Sequence, residues 1–435
     1  MMDFKTRIEE TIKAMVDAKP KFNILFVTDE TSRLSALRGS AAMTQFRHFY
    51  GNIATVTVTT MESDRFCELQ PDLSHYNVVW VDNVINRKFN QSLVNLVGCV
   101  LDSEVEGWRS DLDGMDDDQK GEYMSLANQY RALKLRVIYC LDEFVWDAPA
   151  GRQRNVIEGI TVQESMEIAD AMIVPNFEMS SALTELGLVP EGKEVLVIPT
   201  FVGDSFYPTH LVNKRSATGV SSIRRPKILV KGTTLPKNVQ NLIIHGVDEY
   251  DFTISTVGEL DERLMKLLQT PKSKAEPNVP LVANIKHWSN PYVNSRNLLD
   301  TMAMERDAKF DFVILCEPED IESDIYHLTI TDTDALIGVA SGSLVIAGID
   351  EAGFGKGIHL CAETGFTFGN TTSVAELRRI IERWRSTASW DEGYASQRKL
   401  LQQRLVSSES VMSGFFHAML GREVSERRKE KFSQE

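Results

Sequence analysis

The sequence predicts an α/β protein built on two Rossmann-like, doubly wound parallel sheets. Three observations predict it. The chain has 435 residues, and α/β domains often run to about 200, so two domains fit the length. Short β-branched runs alternate with helical patterns along most of the chain, and that alternation implies parallel strands covered by helices. The alternation stops once, at a polar stretch near the middle, and then restarts.

In the first half the predicted strands are Phe22–Thr28, Ile53–Thr59, Asn77–Val81, Leu135–Leu141, Ala171–Pro175 and Glu194–Pro199. Their runs of Val and Ile, bounded by turn residues, read as strands buried on both faces. Helical patterns lie near 32–48, 88–103, 120–132, 158–169 and 177–186. Residues 207–225 are polar, rich in Ser, Thr, Gly and basic side chains, and read as a linker. Strands then return at Lys227–Val230, Phe252–Thr256, Val279–Ile285, Phe310–Cys316 and Ser343–Ala347. Helices are expected near 236–246, 260–269, 292–304, 331–340 and 373–385. The domains are therefore expected at 1–206 and 226–390, followed by C-terminal helices in 391–435 whose charged tail frays.

Composition removes several function classes. Apolar residues make up 43% and charged residues 25%, ordinary values that exclude global disorder and collagen-like repeats. The charge is 47 − 62 = −15, which disfavours a chain whose main task is gripping nucleic acid but leaves room for a local basic groove. No apolar run approaches the roughly 18 residues of a membrane span. The N-terminus carries acids and no long apolar stretch, so it does not read as a secretory signal. Five cysteines, an odd number without CxxC, argue for a reducing, cytoplasmic setting and against a zinc site. Cys99, Cys140 and Cys316 lie in apolar runs and are expected in the core.

The candidate site residues follow strands. Lys231-Gly232-Thr233-Thr234 leaves a buried strand, and Lys237 opens the next helix. A glycine, hydroxyls and two lysines at such a junction suit a diphosphate, although a turn with a cap uses the same letters. Ser341-Gly342-Ser343 ends another helix and reads either as a phosphate-facing turn or as a C-cap. Gly353–Gly357 is glycine-rich but matches neither the P-loop nor the dinucleotide fingerprint. Thr31–Ser40 follows the first strand and offers Arg38 and Gly39 at the ligand-bearing sheet edge. Asp142, Glu143 and Trp146 follow another strand, where a carboxylate could act as a base and an indole could stack on a ring. The acidic run Asp111–Asp118 fails the EF-hand spacing and reads as a solvated loop. HExxH and GxSxG are missing, so metal and serine hydrolysis find no support.

Five segments in order resemble the GT-B glycosyltransferases, family-4-type enzymes in particular. Ala169-Asp170 through Pro175 is similar to that family's "aDxvivpS". Val197-Ile-Pro199 through Pro208 resembles "vIPNgvDxxxFxP", and Ile228–Leu242 resembles "ilyvGRl…KNvxxL". Arg136–Pro149 is similar to the "DDdlwdiP" element of bacterial and phage members, and Asp334–Ile346 with Glu363–Phe366 resembles "EAmAcGtPVI…enGf".

The resemblance implies two domains facing a cleft, with acceptor binding in the first and a nucleotide-diphosphate sugar in the second. It implies Lys231, Gly232, Thr233 and Lys237 around the departing diphosphate, and Asp350 or Glu351 on the ribose or donor sugar. Arg38 and the Asp142–Trp146 loop would face the acceptor, which the resemblance leaves among a phage modified DNA base, a polysaccharide and a protein. It implies no metal or other cofactor. Two departures stand out: Thr233 replaces the family's donor arginine, and its Glu-x7-Glu pair falls on Thr329 and Ile337, with Asp332, Asp334, Asp350 and Glu351 nearby as substitutes under another alignment. A catalytically degenerate relative acting as a binding or structural module is therefore the alternative, with an epimerase or glycogen-synthase-like enzyme behind it.

Overall fold

A computed structural model of the protein describes residues 2–29, 41–51, 54–105, 107–141, 146, 156–204, 207, 225–232, 234–256, 259–269, 271–273, 276–280, 285–289, 298–316, 332–349, 358–362, 366–369, 372–405 and 407–434. They fall into two compact units, and both are of the expected α/β class. The first contains Met1–Trp146, Arg154–Gly203 and Val406–Glu435; the second contains Asp147–Gln153 and Asp204–Leu405.

The first unit holds six strands: β1 (Lys21–Thr28), β2 (Thr55–Glu62), β3 (Val78–Asp82), β4 (Arg136–Cys140), β5 (Ala171–Val174) and β6 (Glu194–Val197). They lie in the order β2-β1-β3-β4-β5-β6, and every pairing is parallel. On one face Ile24, Val78 and Phe26, Trp80 sit in register and pack with Phe415 and Met419 from the helix Glu409–Leu420. The Phe415 ring lies edge-on to Phe46, Trp80 and Phe201, with centroids 5.5, 5.2 and 4.9 Å away. Offset and edge-on aromatic packing adds to area burial there.

Two elements of this unit were not expected. The helix Met2–Asp17 buries Phe4, Ile8 and Ile12 in the same core. The charged tail does not fray: Arg422–Gln434 is a helix lying along Met2–Asp17. Arg428 Nη1 donates to the Met15 carbonyl at 2.7 Å and the Ala18 carbonyl at 3.0 Å. It thereby satisfies carbonyls left over where the first helix ends. Lys431 pairs with Asp17 at 2.8 Å and Arg427 with Glu9 at 3.1 Å.

The acidic run is mostly a helix start. Asp116 caps the helix Asp117–Lys134 and exchanges hydrogen bonds with Gln119, so acids stand where a helix N-terminus favours them. Cys140, Cys316 and Cys361 are buried, but Cys99 is exposed. The helix Arg87–Glu104 buries positions 89, 90, 93, 97, 100 and 101, and Cys99 falls on its outer face.

The second unit holds a six-stranded sheet of β7 (Lys227–Gly232), β8 (Asp251–Thr256), β11 (Ile285–Ser289), β12 (Phe312–Leu315), β13 (Leu344–Ile349) and β14 (Thr367–Gly369). The order is β11-β8-β7-β12-β13-β14, again parallel throughout. The strand expected at Val279–Ile285 is displaced. Residues 276–280 form β10, which pairs antiparallel with β9 (Pro271–Ser273), and the sheet strand begins at Ile285. No helix among the described residues is long and apolar enough to cross a membrane.

Candidate functional site

In the second unit the chain moves from β7 outward to β8 and β11, then returns across the sheet to β12, β13 and β14. Right-handed crossovers therefore put the two sets of connecting helices on opposite faces. The direction reverses between β7 and β12, and a crevice opens at the carboxyl ends of strands where that happens. Lys231 and Gly232 end β7; beside them Leu315 ends β12 and Cys316 follows it.

Gly232 is held against the neighbouring strand end. A Cβ there would stand 2.7 Å from the Thr234 carbonyl oxygen and 2.9 Å from Cys316 Cβ. Cys316 N–H donates to the Lys231 carbonyl at 2.7 Å, which fixes the approach. Only glycine fits this close packing without displacing a backbone carbonyl or the end of the neighbouring strand. The chain then turns into the helix Lys237–Gly246, whose N-cap is Pro236; in its first turn the Val239 N–H donates to Asn238 Oδ1 at 2.8 Å. Lys237 is exposed at that N-terminus, where backbone N–H groups and the helix dipole favour an anion.

Lys231 behaves differently from the expectation. Its side chain is 2% exposed, and Nζ lies 2.7 Å from Glu305 Oε1 and 3.0 Å from Asp334 Oδ1. A buried ammonium needs such partners. Its charge is therefore taken up inside the unit, and Lys237, at the next helix start, is an exposed cation among the described residues. Glu305, in the helix Leu298–Ala308, is 1% exposed, and burial pushes its carboxyl up, against the pull of Lys231. Asp334, in the first turn of the helix Thr333–Ala340, keeps 26% of its side chain exposed. Sequence reasoning missed Glu305 altogether.

Ser341, Gly342 and Ser343 lie elsewhere. They close the C-terminus of Thr333–Ala340: their N–H groups donate to Ile337, Val339 and Gly338 carbonyls at 2.9, 3.0 and 3.0 Å. Gly342 takes the left-handed conformation this turn needs, at φ 91°. Ser343 Oγ donates to the Phe310 carbonyl at 3.1 Å. The turn leads into the amino end of β13, the sheet edge opposite Gly232, so these three residues form the C-cap and do not join the crevice. Thr233, Asp350, Glu351 and Gly353–Gly357 lie outside the described residues.

In the first unit the reversal falls between β1 and β3. Asp29 follows β1, Ser63 follows β2 and Asp82 ends β3; Ser63 Oγ donates to Asp29, and Asp82 is fully buried. Of the three, Asp82 alone directly follows an apolar run, Val78–Val81, which is the local signal that marks it. Tyr139 on β4 donates to the Val84 carbonyl at 3.2 Å, and burial pushes its phenol above the usual range. Trp146 packs its ring on the helix Val156–Ile168, where a Cβ at Gly159 would stand 2.9 Å from Trp146 Cδ1. Arg38, Gly39, Asp142 and Glu143 lie outside the described residues. Among the described residues no group of three or more His, Cys, Asp or Glu side chains is arranged to hold a metal ion.

No protein-family model and no curated protein matches the chain. Sucrose-phosphate synthase from Thermosynechococcus elongatus is similar in structure over 95% of this chain and 100% of its own, at 12% identity and a TM-score of 0.48. The Anabaena protein Alr3699/HepE, solved with UDP and glucose, is similar over 95% and 100%, at 13% identity and a TM-score of 0.44. α,α-Trehalose-6-phosphate synthase from Burkholderia multivorans is similar over 93% and 83%, at 12% identity and 0.41. All three scores lie below 0.5, and the fold class rests on the strand order of the two sheets themselves.

Proposed function

We propose that the protein is a GT-B glycosyltransferase that binds a nucleoside-diphosphate sugar in its second unit. The observation that carries this reading is Gly232, pressed against Cys316 at the reversal of a sheet ordered β11-β8-β7-β12-β13-β14. Such a crevice is where dinucleotide-type folds hold their ligand. Gly232 lets the ends of β7 and β12 pack closely at that point. Lys237 and the helix N-terminus beside it offset the charge that gathers on the diphosphate as it leaves. The ordered motifs Ala169–Pro175, Val197–Pro208 and Ile228–Leu242 support sugar transfer over other uses of this fold.

In the reaction an acceptor hydroxyl attacks the anomeric carbon. The bond from that carbon to the diphosphate oxygen breaks, and the diphosphate leaves with the electron pair. The hydroxyl proton passes to a carboxylate, with Asp142 and Glu143 as the candidates. Family-4 kinship, a cytoplasmic setting and an acceptor among saccharide, protein and modified base belong to the same reading.

The test is a thermal-shift screen with UDP, GDP, ADP and their common sugar conjugates, on the wild type and on Lys237→Ala. A ligand at a hundred times its Kd adds about 2.7 kcal/mol of apparent stability. A shift with one nucleotide that is lost in the variant supports the reading. No shift with any at millimolar concentration moves the assignment to a non-catalytic binding module.

A further inference from the structure

We infer that a groove of the first unit, between the helices Arg87–Glu104 and Asp117–Lys134, is an interface between two copies of this chain related by a two-fold axis. The inference stands apart from the sugar-transfer reading. The groove lies at the amino edge of the first sheet, where Arg136 begins β4, Asp170 precedes β5 and Lys193 precedes β6. The ligand-bearing carboxyl edge is the opposite one.

The groove is built for a macromolecule. Its volume of about 1060 Å³ exceeds the roughly 300–1,000 Å³ of small-molecule sites. Twenty residues line it, and a specific protein interface uses about 20–30 on each side. Two large apolar side chains stand out into it, Val94 at 51% exposed and Met124 at 37%. A glycine lies one turn from each. Gly98 follows Val94 by four positions, Gly121 precedes Met124 by three, and a Cβ at either glycine would meet nothing within 4 Å. Residues so spaced share a helix face. Projections and recesses therefore sit on one surface, and a two-fold contact sets the same patch of each copy against the other.

The charges at the two ends complement each other. Lys120 is exposed one turn before Met124, on the same flank of its helix, and forms no ion pair among the described residues. At the other end Arg131 is taken up by Asp170, and Lys193 Nζ donates to the Ala169 carbonyl at 2.7 Å. That leaves Glu167 and Glu191 exposed on the lining, without an ion pair among the described residues. From Gly121 to Ala132 the helix rises about 16 Å, so the base and the acids lie too far apart to pair within one copy. A two-fold axis crossing the middle of this helix turns the second copy end for end. Each copy's Lys120 then meets the Glu167 and Glu191 of the other. A basic peptide would answer the acids alone and would be repelled by Lys120, whereas a second copy answers both ends.

The experiment is sedimentation velocity on the full chain, from low micromolar to about 100 µM protein. Four forms are compared with the wild type: Met124→Asp, Lys120→Glu, Glu167→Lys/Glu191→Lys, and the triple variant that combines the last two. All the changed side chains are exposed, and each form is expected to melt near the wild-type temperature. The wild type should reach twice the 49.0 kDa mass of the chain. Met124→Asp and each charge reversal should weaken association by about tenfold or more, and the triple variant should return it to within about threefold of the wild type. Recovery by the triple variant is an effect that lost packing would not give.

A wild type that stays monomeric at the highest concentration overturns the inference. So does a dimer indifferent to Met124→Asp, which uses another face, or a triple variant as weak as its parents. A monomeric wild type that binds a labelled Leu/Lys helical peptide, with binding lost in Glu167→Lys/Glu191→Lys, overturns it in favour of a basic partner.

Discussion

Arg131 and Asp170 meet as a two-pronged pair, Nη1 to Oδ2 at 2.5 Å and Nη2 to Oδ1 at 2.8 Å, with 9% and 10% of their side chains exposed. Asp170 Oδ2 also accepts the Val137 N–H at 2.8 Å, and Arg131 donates to the Leu135 carbonyl at 3.1 Å. One ion pair thus ties the end of a helix to the starts of β4 and β5. Removing one partner leaves the other charge enclosed. Asp170→Asn is expected to cost the first unit about 3 kcal/mol. Arg131→Met with Asp170→Leu should cost clearly less. Hydrogen exchange of the β4 amides reads both.

Gly232→Ala tests the close approach at the crevice. The new methyl meets a backbone carbonyl and a strand end, neither of which yields easily. A loss of about 1–3 kcal/mol is expected in the second unit. An unchanged melting temperature would mean that the turn relaxes freely.

Phe415→Ala removes the ring on which Phe46, Trp80 and Phe201 converge. The expected cost is about 3–5 kcal/mol, read as a lowered urea midpoint of the first unit with the second unit unchanged. A cost below 1 kcal/mol would show that this end of the chain is not part of the core.

Glu305 gives a dependence on pH. Burial raises its carboxyl above the ordinary 4.5, so the folded state holds the proton more tightly than the unfolded chain. The stability this confers is full below about pH 4.5 and is lost as pH rises through the raised folded value. Glu305→Gln, measured by urea midpoints from pH 4 to 8, should remove that decline. A variant whose curve keeps the wild-type slope over this range would contradict it.

Strand runs such as Phe22–Thr28 and Ala171–Pro175 were legible because buried parallel strands are written as continuous apolar letters. Val279–Ile285 misled for the same reason: an apolar run does not say which sheet it joins, and its first residues went to a hairpin. Cys99 misled because helical position, not the apolar company of its neighbours, decides which face is buried. Gly232 could be seen in advance, since a glycine between strand and helix has a local cause. The meeting of Lys231 with Glu305 could not. Its partners come from two other helices, and nothing local to position 231 shows which charge will face it.

The helices beyond Val406 complete the core of the first unit, yet the whole of Asp204–Leu405 precedes them in the chain. On a ribosome this fixes an order of events. At about 5–20 residues per second, the intervening 405 − 203 = 202 residues take roughly 10–40 s to make. During that interval Trp80 and Phe46 wait without Phe415, and the first half of the nascent chain presents an unfinished apolar surface. The second unit, though made later, is finished first. Chaperone demand during synthesis should therefore fall on the earlier half and end abruptly with the last helices.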